Sequence, residues 1–261
     1  MALIYLDDLR LNAVLEGPAS APPLVLIHAL GTDLTLWDAV LSHLPPLRVL
    51  RYDLRGHGQS DAPPAPYTMG ALIHDCERLI DHFGLKDAVV VGLSVGGLVA
   101  QGLAVKRLDL VRGLVLSNTA TRIATPDIWA ERVAFVRVNG IAAILDPAME
   151  QTFGRRWREA AGMPAIRALL ETTDPEGWMG VASAVGGSDF YQTTATLTLP
   201  TLVLAGAEDA ATPPDMQREL ADLIRGADFQ LIRRAGHLPP VDQPAAFAAA
   251  LTGFLTRIGH V

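Results

Sequence analysis

The stretch Gly92-Leu-Ser94-Val-Gly96 places a single hydroxyl between two glycines, directly after the apolar run Ala88–Val91. This is the G-x-S-x-G spacing of a nucleophile elbow, the sharp strand-to-helix turn that exposes a catalytic serine. Side chains at the two glycine positions of so tight a turn would collide with neighbouring backbone. A phosphate-binding loop would need glycine in place of Ser94, or a Lys-Ser or Lys-Thr pair after the loop, and the sequence has neither. The spacing therefore predicts a nucleophilic role for Ser94.

A nucleophilic serine needs a histidine that takes up its proton. Two histidines follow Ser94 in the chain. His260 lies next to the chain end, where we expect a frayed segment. His237 follows the apolar run Phe229–Ile232, which places it just past the end of a predicted strand. His237 is therefore the predicted base.

The histidine in turn needs a carboxylate that orients its ring and stabilises the imidazolium. Asp209 follows the apolar run Thr201–Ala205, and its neighbour Glu208 is the alternative. Either acid taken alone could equally well cap the helix that follows. The order serine, acid, histidine, each after its own strand, is the order of nucleophile-elbow hydrolases. We therefore predict a catalytic triad of Ser94, Asp209 and His237.

The tetrahedral intermediate formed by such a serine carries an oxyanion, which requires hydrogen-bond donors. We expect one donor to be the backbone N–H of Val95, at the start of a helix whose dipole adds to the effect. The other expected donor is the N–H of Leu30, in the loop that follows an early apolar run. We interpret His28 as hydrogen-bonded within that loop. His57 is interpreted as a structural or exposed residue of a turn.

These candidate residues follow short apolar runs that alternate with helical patterns. The first two runs are typical of a hairpin, and the continuous apolar runs after them are typical of parallel strands covered on both faces. The predicted strands are Leu3–Leu6, Leu11–Leu15, Leu24–His28, Arg48–Asp53, Ala88–Val91, Gly113–Ser117, Thr201–Ala205 and Phe229–Ile232. The predicted helices are Met69–Phe83, capped by Thr68, Val95–Lys106, Asp215–Ile224 and a last helix with an apolar stripe from Phe247 to Ile258. This alternation predicts an α/β fold.

Between Asn118 and Pro200 the pattern changes to helical periodicity without a pair of strands. An insertion of this length is typical of a functional lobe rather than of a bare loop. We interpret residues 119–200 as a helical lid, or cap, inserted over the carboxyl ends of the strands. Residues 1–118 and 201–261 then form the core.

Composition and charge exclude several classes of partner. The net charge is −7, so we expect no nucleic-acid partner and no binding to an anionic membrane surface. The uncharged stretch Ala88–Val105 is long enough to span a membrane, but its glycines fit a strand that turns into a helix better than one continuous helix. The chain starts without the basic region of a signal peptide and has Cys76 as its single cysteine. We expect a cytoplasmic protein that is a monomer or a small homo-oligomer.

Metal and cofactor sites are not indicated by the sequence. The seven histidines are scattered, without H-x-H or H-E-x-x-H spacing, and there is no cysteine pair. No cofactor fingerprint is present either, so we expect neither a metal nor a cofactor.

Over essentially its full length the sequence resembles the α/β-hydrolase family, and more narrowly the 3-oxoadipate enol-lactonases of aromatic-compound catabolism. The stretches that carry the resemblance are HALGTDLTLWD (28–38), RVLRYDLRGHGQSDAPPAPYT (48–68), GLSVGG (92–97), LVLSNTATRIATPDIWAERV (114–133) and AGAEDAATPPD (205–215). The resemblance implies a mostly parallel eight-stranded sheet with helices on both faces and an inserted helical lid. Family members commonly have Ser at Ala29 and Met at Val95, and these departures touch the expected pocket wall rather than the triad.

The resemblance also implies a substrate, a small enol-lactone that carries a carboxylate. A carboxylate in a half-dry pocket requires a cation, and Arg122, Arg132 and Arg137 lie early in the lid at positions that the family pattern shares. Trp129 is expected to form part of the pocket wall. Two alternatives remain at this point: a carboxylesterase or C–C bond hydrolase acting on a related ring-cleavage product, and a non-catalytic relative that only binds a small ligand.

Overall fold

A single mixed sheet forms the centre of the computed structural model, which describes residues 2–6, 8–153 and 159–261. Its strands are β1 (Ala2–Leu6), β2 (Leu9–Glu16), β3 (Pro23–Ile27), β4 (Arg48–Tyr52), β5 (Ala88–Leu93), β6 (Val111–Ser117), β7 (Thr201–Gly206) and β8 (Asp228–Ile232). Their order across the sheet is β1-β2-β4-β3-β5-β6-β7-β8. β2 is antiparallel to both β1 and β4, and β4, β3 and β5 to β8 run parallel. The predicted α/β fold with an opening hairpin is therefore confirmed.

The helices of the described residues lie between and after these strands. In chain order they are α1 (Asp38–Leu41), α2 (Met69–His82), α3 (Val95–Lys106), α4 (Pro126–Asn139), α5 (Leu145–Phe153), α6 (Met163–Thr172), α7 (Pro175–Gly186), α8 (Tyr191–Thr194), α9 (Pro214–Leu223), α10 (Pro239–Asp242) and α11 (Pro244–Arg257), with 3-10 helices at Leu34–Trp37 and Ile141–Ile144. Because helices cover both faces of the sheet centre, every residue of β5 and of β7 is buried. This burial explains why those strands are continuous apolar runs rather than alternating ones.

Helix α2 begins and ends close to the residues predicted from its sequence. The side chain of Thr68 accepts a hydrogen bond from the N–H of Ala71 and caps the helix, as predicted from the sequence. The helix ends at His82, one residue before the predicted end, and Gly84 follows with φ +63°. Glycine adopts this left-handed conformation without the penalty that a side chain would pay.

Helices α4 to α8 form the segment between β6 and β7, and they contact loops at the carboxyl ends of the parallel strands. A Cβ on Gly31, after β3, would lie 2.7 Å from Leu170 of α6, and the N–H of His237, after β8, donates to the carbonyl of Thr152 in α5. Buried apolar residues of this segment and of the sheet belong to one cluster. The division into a core of residues 1–118 and 201–261 and a lid of residues 119–200 stays a prediction.

The segment around His260 differs from the expectation of a frayed end. The imidazole of His260 is buried, and its Nε2 lies 3.0 Å from the carbonyl oxygen of Pro23 at the start of β3. Gly259, with φ +65°, turns the chain towards this site, and Arg112 of β6 donates to the carbonyls of Ile258 and Gly259. The prediction of fraying was wrong because these long-range contacts hold the segment in place.

Candidate active site

Ser94 stands at the junction of β5 and α3, with φ 57° and ψ −116°. Non-glycine residues adopt this conformation only where the surrounding structure enforces it, and such residues cluster at functional sites. A Cβ on Gly92 would lie 2.2 Å from the carbonyl oxygen of Gly96, and a Cβ on Gly96 would lie 2.3 Å from that of Ile27 in β3. The two glycines are therefore required by the turn, which confirms the steric interpretation of the motif.

The loops after β7 and β8 bring an acid and a histidine together. Nδ1 of His237 lies 3.0 Å from Oδ2 and 3.1 Å from Oδ1 of Asp209, whose carboxylate is buried. Glu208, the alternative acid, is exposed, and its N–H donates to the carbonyl of Ala235. The structure therefore pairs Asp209, and not Glu208, with His237.

Five further donors surround the carboxylate of Asp209. Burial by itself would raise the pKa of Asp209, but the positive charge of His237 and the hydrogen bonds from His237 and Thr212 outweigh burial and lower the pKa to about 2. The donors are the N–H groups of Ala211 and Thr212, the Thr212 hydroxyl, and the side-chain amides of Asn118 and Gln217. Asp209 is thus held ionised and fixed in orientation.

Ser94 and His237 line the same cavity. Nδ1 of His237 is committed to Asp209, so Nε2 is the ring atom left to exchange a proton with the serine. Among the described residues the Ser94 hydroxyl makes no side-chain hydrogen bond, and such bonds in hydrolases often tighten only when substrate binds. The arrangement can perform general-base catalysis once the two side chains approach.

Leu30 and Val95, the predicted oxyanion donors, also line this cavity. Val95 is the first residue of α3, so its N–H has no acceptor within the helix. In the part of the chain that the structure describes, the N–H of Leu30 has no protein acceptor either. Two free backbone donors at the nucleophile are suited to a developing negative charge.

Two buried histidines hold the loop that contains Leu30. Nε2 of His57 accepts from the N–H of Gly31 at 3.0 Å, and Nε2 of His28 accepts from the N–H of Leu54 at 2.9 Å. Burial lowers the pKa of His28 to about 4 and that of His57 to about 3. His28 also contacts Ala29 in its own loop, as predicted, and His57 proves structural rather than exposed. Both rings are neutral at physiological pH and act as hydrogen-bond acceptors.

The cavity has a volume of about 520 Å³ and lies between the carboxyl ends of the strands and helices α4 to α7. Most of its lining side chains are apolar. Trp129 of α4 is buried in this wall and donates from Nε1 to the carbonyl of Ile123. A pocket of this size and character can enclose a small organic molecule.

Arg132 of α4 lines this cavity, as does its neighbour Glu131. Its guanidinium carbon lies 4.8 Å from the centre of the Trp129 ring, and burial lowers the pKa of Arg132. No carboxylate of the described residues lies within ion-pairing distance of it. A half-buried guanidinium of this kind is suited to pair with an anionic group of a ligand.

The other two lid arginines lie elsewhere. Arg122 has about half of its side chain exposed, and its Nη1 lies 3.4 Å from Oδ2 of Asp189. Both residues line a separate surface pocket. Arg137 is exposed in the last turn of α4 and is not part of the cavity wall. Of the three arginines expected at the substrate, Arg132 lines the cavity that Ser94 also lines, and Arg122 and Arg137 do not.

A sequence profile of the alpha/beta hydrolase family matches residues 24–250. The chain belongs to this family. It is 29% identical over 254 residues to 3-oxoadipate enol-lactonase 2 of Acinetobacter baylyi, a match that covers 96% of this chain and 95% of the relative. The resemblance to α/β hydrolases noted from the sequence is thus confirmed.

The fold of this chain also matches the folds of solved structures. The hydrolase superimposes on the enol-lactonase from Burkholderia xenovorans LB400 with a TM-score of 0.93 and 34% identity, over 98% of this chain and 100% of that one. It matches a thermophilic esterase from Thermogutta terrifontis with a TM-score of 0.90 and 31% identity, over 97% and 95% of the two chains. Both solved structures are thus similar to the hydrolase over nearly its full length.

Sequence reasoning missed the polar residues behind Asp209. Asn118, Thr212 and Gln217 of the hydrolase are fully buried, and each donates to this carboxylate. One signal for Asn118 was present, because a buried strand of a parallel sheet ends directly before it, at the edge where active sites of such sheets form.

Within the described residues, no group of three or more His, Cys, Asp or Glu side chains is placed to hold a metal ion. The same residues include no helix that is both long enough and apolar enough to cross a bilayer.

Proposed function

We propose that this hydrolase opens a small carboxylate-bearing enol-lactone, converting 3-oxoadipate enol-lactone and water to 3-oxoadipate in aromatic-compound catabolism. The observation that carries the proposal is the guanidinium of Arg132, which has no ion-pair partner among the described residues and lies in the cavity that Ser94 and His237 also line. A serine, a histidine and an arginine in a mostly apolar cavity suit an ester that carries a negative charge, and Glu131, which also lines the cavity, is exposed. The likeness to enol-lactonases supports the same choice.

The proposed reaction starts with attack of the Ser94 hydroxyl on the lactone carbonyl carbon while Nε2 of His237 takes up the proton. Asp209 stabilises the resulting imidazolium, and the N–H groups of Leu30 and Val95 bind the oxyanion. When the tetrahedral intermediate collapses, the bond to the ring oxygen breaks and the enol oxygen leaves. Because an enolate is a good leaving group, His237 has an easier proton to deliver than in amide hydrolysis.

The leaving group stays tethered to the acyl chain, so it could attack the ester again and close the ring. Conversion of the enol to the ketone removes that nucleophile, and water activated by His237 then releases the product. Rapid-quench analysis would test this step. An enol acyl-enzyme that recloses faster than it hydrolyses would contradict it.

The activity test is a coupled assay that generates the enol-lactone from muconolactone with its isomerase and follows the loss of enol-lactone absorbance. We expect Ser94→Ala to abolish turnover. Unchanged turnover in that variant would exclude Ser94 as the nucleophile, and a wild-type protein without turnover would favour a ligand-binding protein without catalysis. Arg132→Gln should raise KM for the anionic lactone by about 10–100-fold, since a hydrogen-bonded charge contributes about 1.5–3 kcal/mol. Arg137→Gln, an exposed arginine of the same helix, is the matched control and should leave KM unchanged.

A carboxylesterase acting on larger esters is the second candidate. The cavity of about 520 Å³ lies in the range that encloses drug-sized ligands, and most of its wall is apolar. The likeness to the Thermogutta terrifontis esterase supports this alternative. Comparing kcat/KM for the enol-lactone with kcat/KM for p-nitrophenyl esters of increasing chain length separates the two. A higher value for a long neutral ester, insensitive to Arg132→Gln, would favour the carboxylesterase.

A further inference from the structure

Strand β6 occupies a position in the sheet that calls for an explanation. It lies between β5, which leads into Ser94, and β7, which leads to Asp209, yet it supplies no member of the proposed triad. The three residues at its carboxyl end, Ser117, Asn118 and Thr119, are polar and fully buried. Buried polar residues are retained where their hydrogen bonds are needed.

Ser117 and Thr119 form hydrogen bonds with the backbone of Ser94. The carbonyl oxygen of Ser117 accepts from the N–H of Ser94 at 3.0 Å, and the hydroxyl of Thr119 donates to the carbonyl oxygen of Ser94 at 2.8 Å. Both backbone groups of the strained serine are therefore bonded to the end of β6.

The third residue, Asn118, contacts the other two triad elements with one amide. Its Nδ2 donates to Oδ2 of Asp209 at 2.7 Å and to the carbonyl oxygen of Gly236, directly before His237, at 3.1 Å. The Ser117 hydroxyl donates to Oδ1 of Asn118 at 2.9 Å, which fixes which end of the amide faces the carboxylate. With φ 48°, Asn118 has a left-handed backbone that asparagine tolerates better than most residues.

We propose that Asn118 is a positioning residue for catalysis, which fixes the carboxylate of Asp209 and the loop of His237 relative to each other and to Ser94. The proposal rests on the serine-hydrolase mechanism proposed above. Asn118 touches neither the reacting atoms nor the cavity wall, so it acts through Asp209 and His237. A misplacement of about 1 Å can cost on the order of 100-fold in rate, so the loss of one positioning amide can lower kcat strongly.

Asn118→Asp tests the donor itself, since it keeps the size and replaces Nδ2 by an oxygen. The new carboxylate would face Oδ2 of Asp209 at the distance of the present hydrogen bond, and two carboxylates this close share a proton or repel each other. When both are ionised, their charge holds a proton on His237 more strongly. We expect kcat to fall on the order of 100-fold and the acid limb of kcat/KM to move up by about one pH unit or more.

The other titratable groups near this cluster are unchanged in the variant. Asp242 accepts from the N–H of Gly236, and Glu208 is exposed beside Asp209. Neither is altered by the substitution, so a moved acid limb reports the Asn118 contact.

The chain offers a matched control at Asn12. Its Nδ2 donates to Oδ2 of buried Asp53 at 2.7 Å, the same contact at the same distance, and neither residue lines the cavity. Asn12→Asp should lower thermal stability as Asn118→Asp does but leave the pH profile of kcat/KM unchanged. A second variant, Asn118→Gly, retains the left-handed backbone without the amide, and we expect it to lower kcat at least tenfold with little change of KM.

The assays use p-nitrophenyl butyrate and the labelling rate of Ser94 by a fluorophosphonate, and neither depends on the identity of the lactone. If the wild-type protein neither hydrolyses the ester nor reacts with the probe, the proposed function fails. If it does both, and Asn118→Gly keeps wild-type kcat or Asn118→Asp keeps the wild-type pH profile, the positioning role fails. Should Asn118→Asp not fold, Asn118→Gly decides alone: a lowered kcat with full labelling stoichiometry supports the role, and an unchanged kcat overturns it.

Discussion

Acid should destabilise this hydrolase through His28 and His57, the two buried rings that hold the loop of Leu30. Each has an Nε2 that already accepts a backbone N–H, from Leu54 and Gly31 respectively, so neither can be protonated there without losing its partner. Burial accordingly lowers the pKa of His28 to about 4 and of His57 to about 3, from the ordinary value of 6.5. Unfolding releases both rings to take up protons.

The size of the effect follows from these pKa values. Stability from a depressed pKa is fully present above 6.5 and is lost as the pH falls from 6.5 towards the pKa of the folded state. At pH 5 the unfolded chain gains about 2 kcal/mol per histidine from protonation, while the folded rings are still almost entirely neutral. The two histidines together thus cost about 4 kcal/mol between pH 7.5 and pH 5.

Asp242 opposes this loss. Burial raises its pKa to about 6, so the folded state binds a proton between the ordinary value of 3.8 and about 6 and becomes more stable as the pH falls. At pH 5 this contributes about 1 kcal/mol at most, because water screens the partly exposed carboxyl. For these three groups together we expect a loss of roughly 3 kcal/mol, a large part of the 5–15 kcal/mol typical of folded domains.

Urea unfolding at pH 7.5, 6.5, 5.5 and 5.0, followed by tryptophan fluorescence, measures this free energy. His57→Gln retains an acceptor for Gly31 without a titrating ring, so the acid-induced loss should shrink by about 2 kcal/mol in this variant. His43→Gln changes an exposed histidine and is the matched control. A wild-type stability constant to within about 0.5 kcal/mol from pH 7.5 to 5, or an unchanged acid response in His57→Gln, would refute the reasoning.

Three further substitutions test local geometry. Gly236→Ala would place a Cβ 2.3 Å from the carbonyl oxygen of Thr152, so kcat for p-nitrophenyl butyrate should fall at least about tenfold as the loop of His237 moves, and a wild-type kcat would contradict this. Asp209→Asn removes the charge that stabilises the imidazolium, and kcat/KM should fall on the order of 10⁴-fold; a loss below tenfold would argue that another group orients the ring. Thr68→Ala removes the N-cap of α2 and should cost about 1 kcal/mol in urea unfolding with unchanged kcat, whereas unchanged stability would show that the cap is dispensable.

The parts of the site that could be predicted from the sequence depend on local geometry or on the order of the strands. The glycines at 92 and 96 are required by a turn of five residues, so their role is visible in the motif itself. The pairing of Asp209 with His237 depends only on β7 and β8 being adjacent and parallel, which places their following loops side by side. An α/β alternation in the sequence is sufficient to expect that adjacency.

Contacts between distant segments could not be predicted in the same way. Asn118 is separated by 91 residues from Asp209 and by 118 from Gly236, and nothing in its local sequence identifies either partner. His260 likewise depends on Pro23, 237 residues earlier in the chain. In both cases the fold brings distant segments together, and the side chain of Asn118 or His260 then forms the hydrogen bond.

The lid arginines show where sequence reasoning can be carried one step further. Arg132 and Arg137 are five residues apart on α4, so at about 100° per residue they point about 140° apart and cannot both face one cavity. Trp129, three residues before Arg132, lies on the same face and stacks on it. On this face Trp129 packs closely against Gly186 of α7, where an added Cβ would lie 2.7 Å from the Cβ of Trp129. The sequence therefore predicts that Arg132 and Arg137 cannot both face the cavity, and the packing of α4 shows that Arg132 is the one that does.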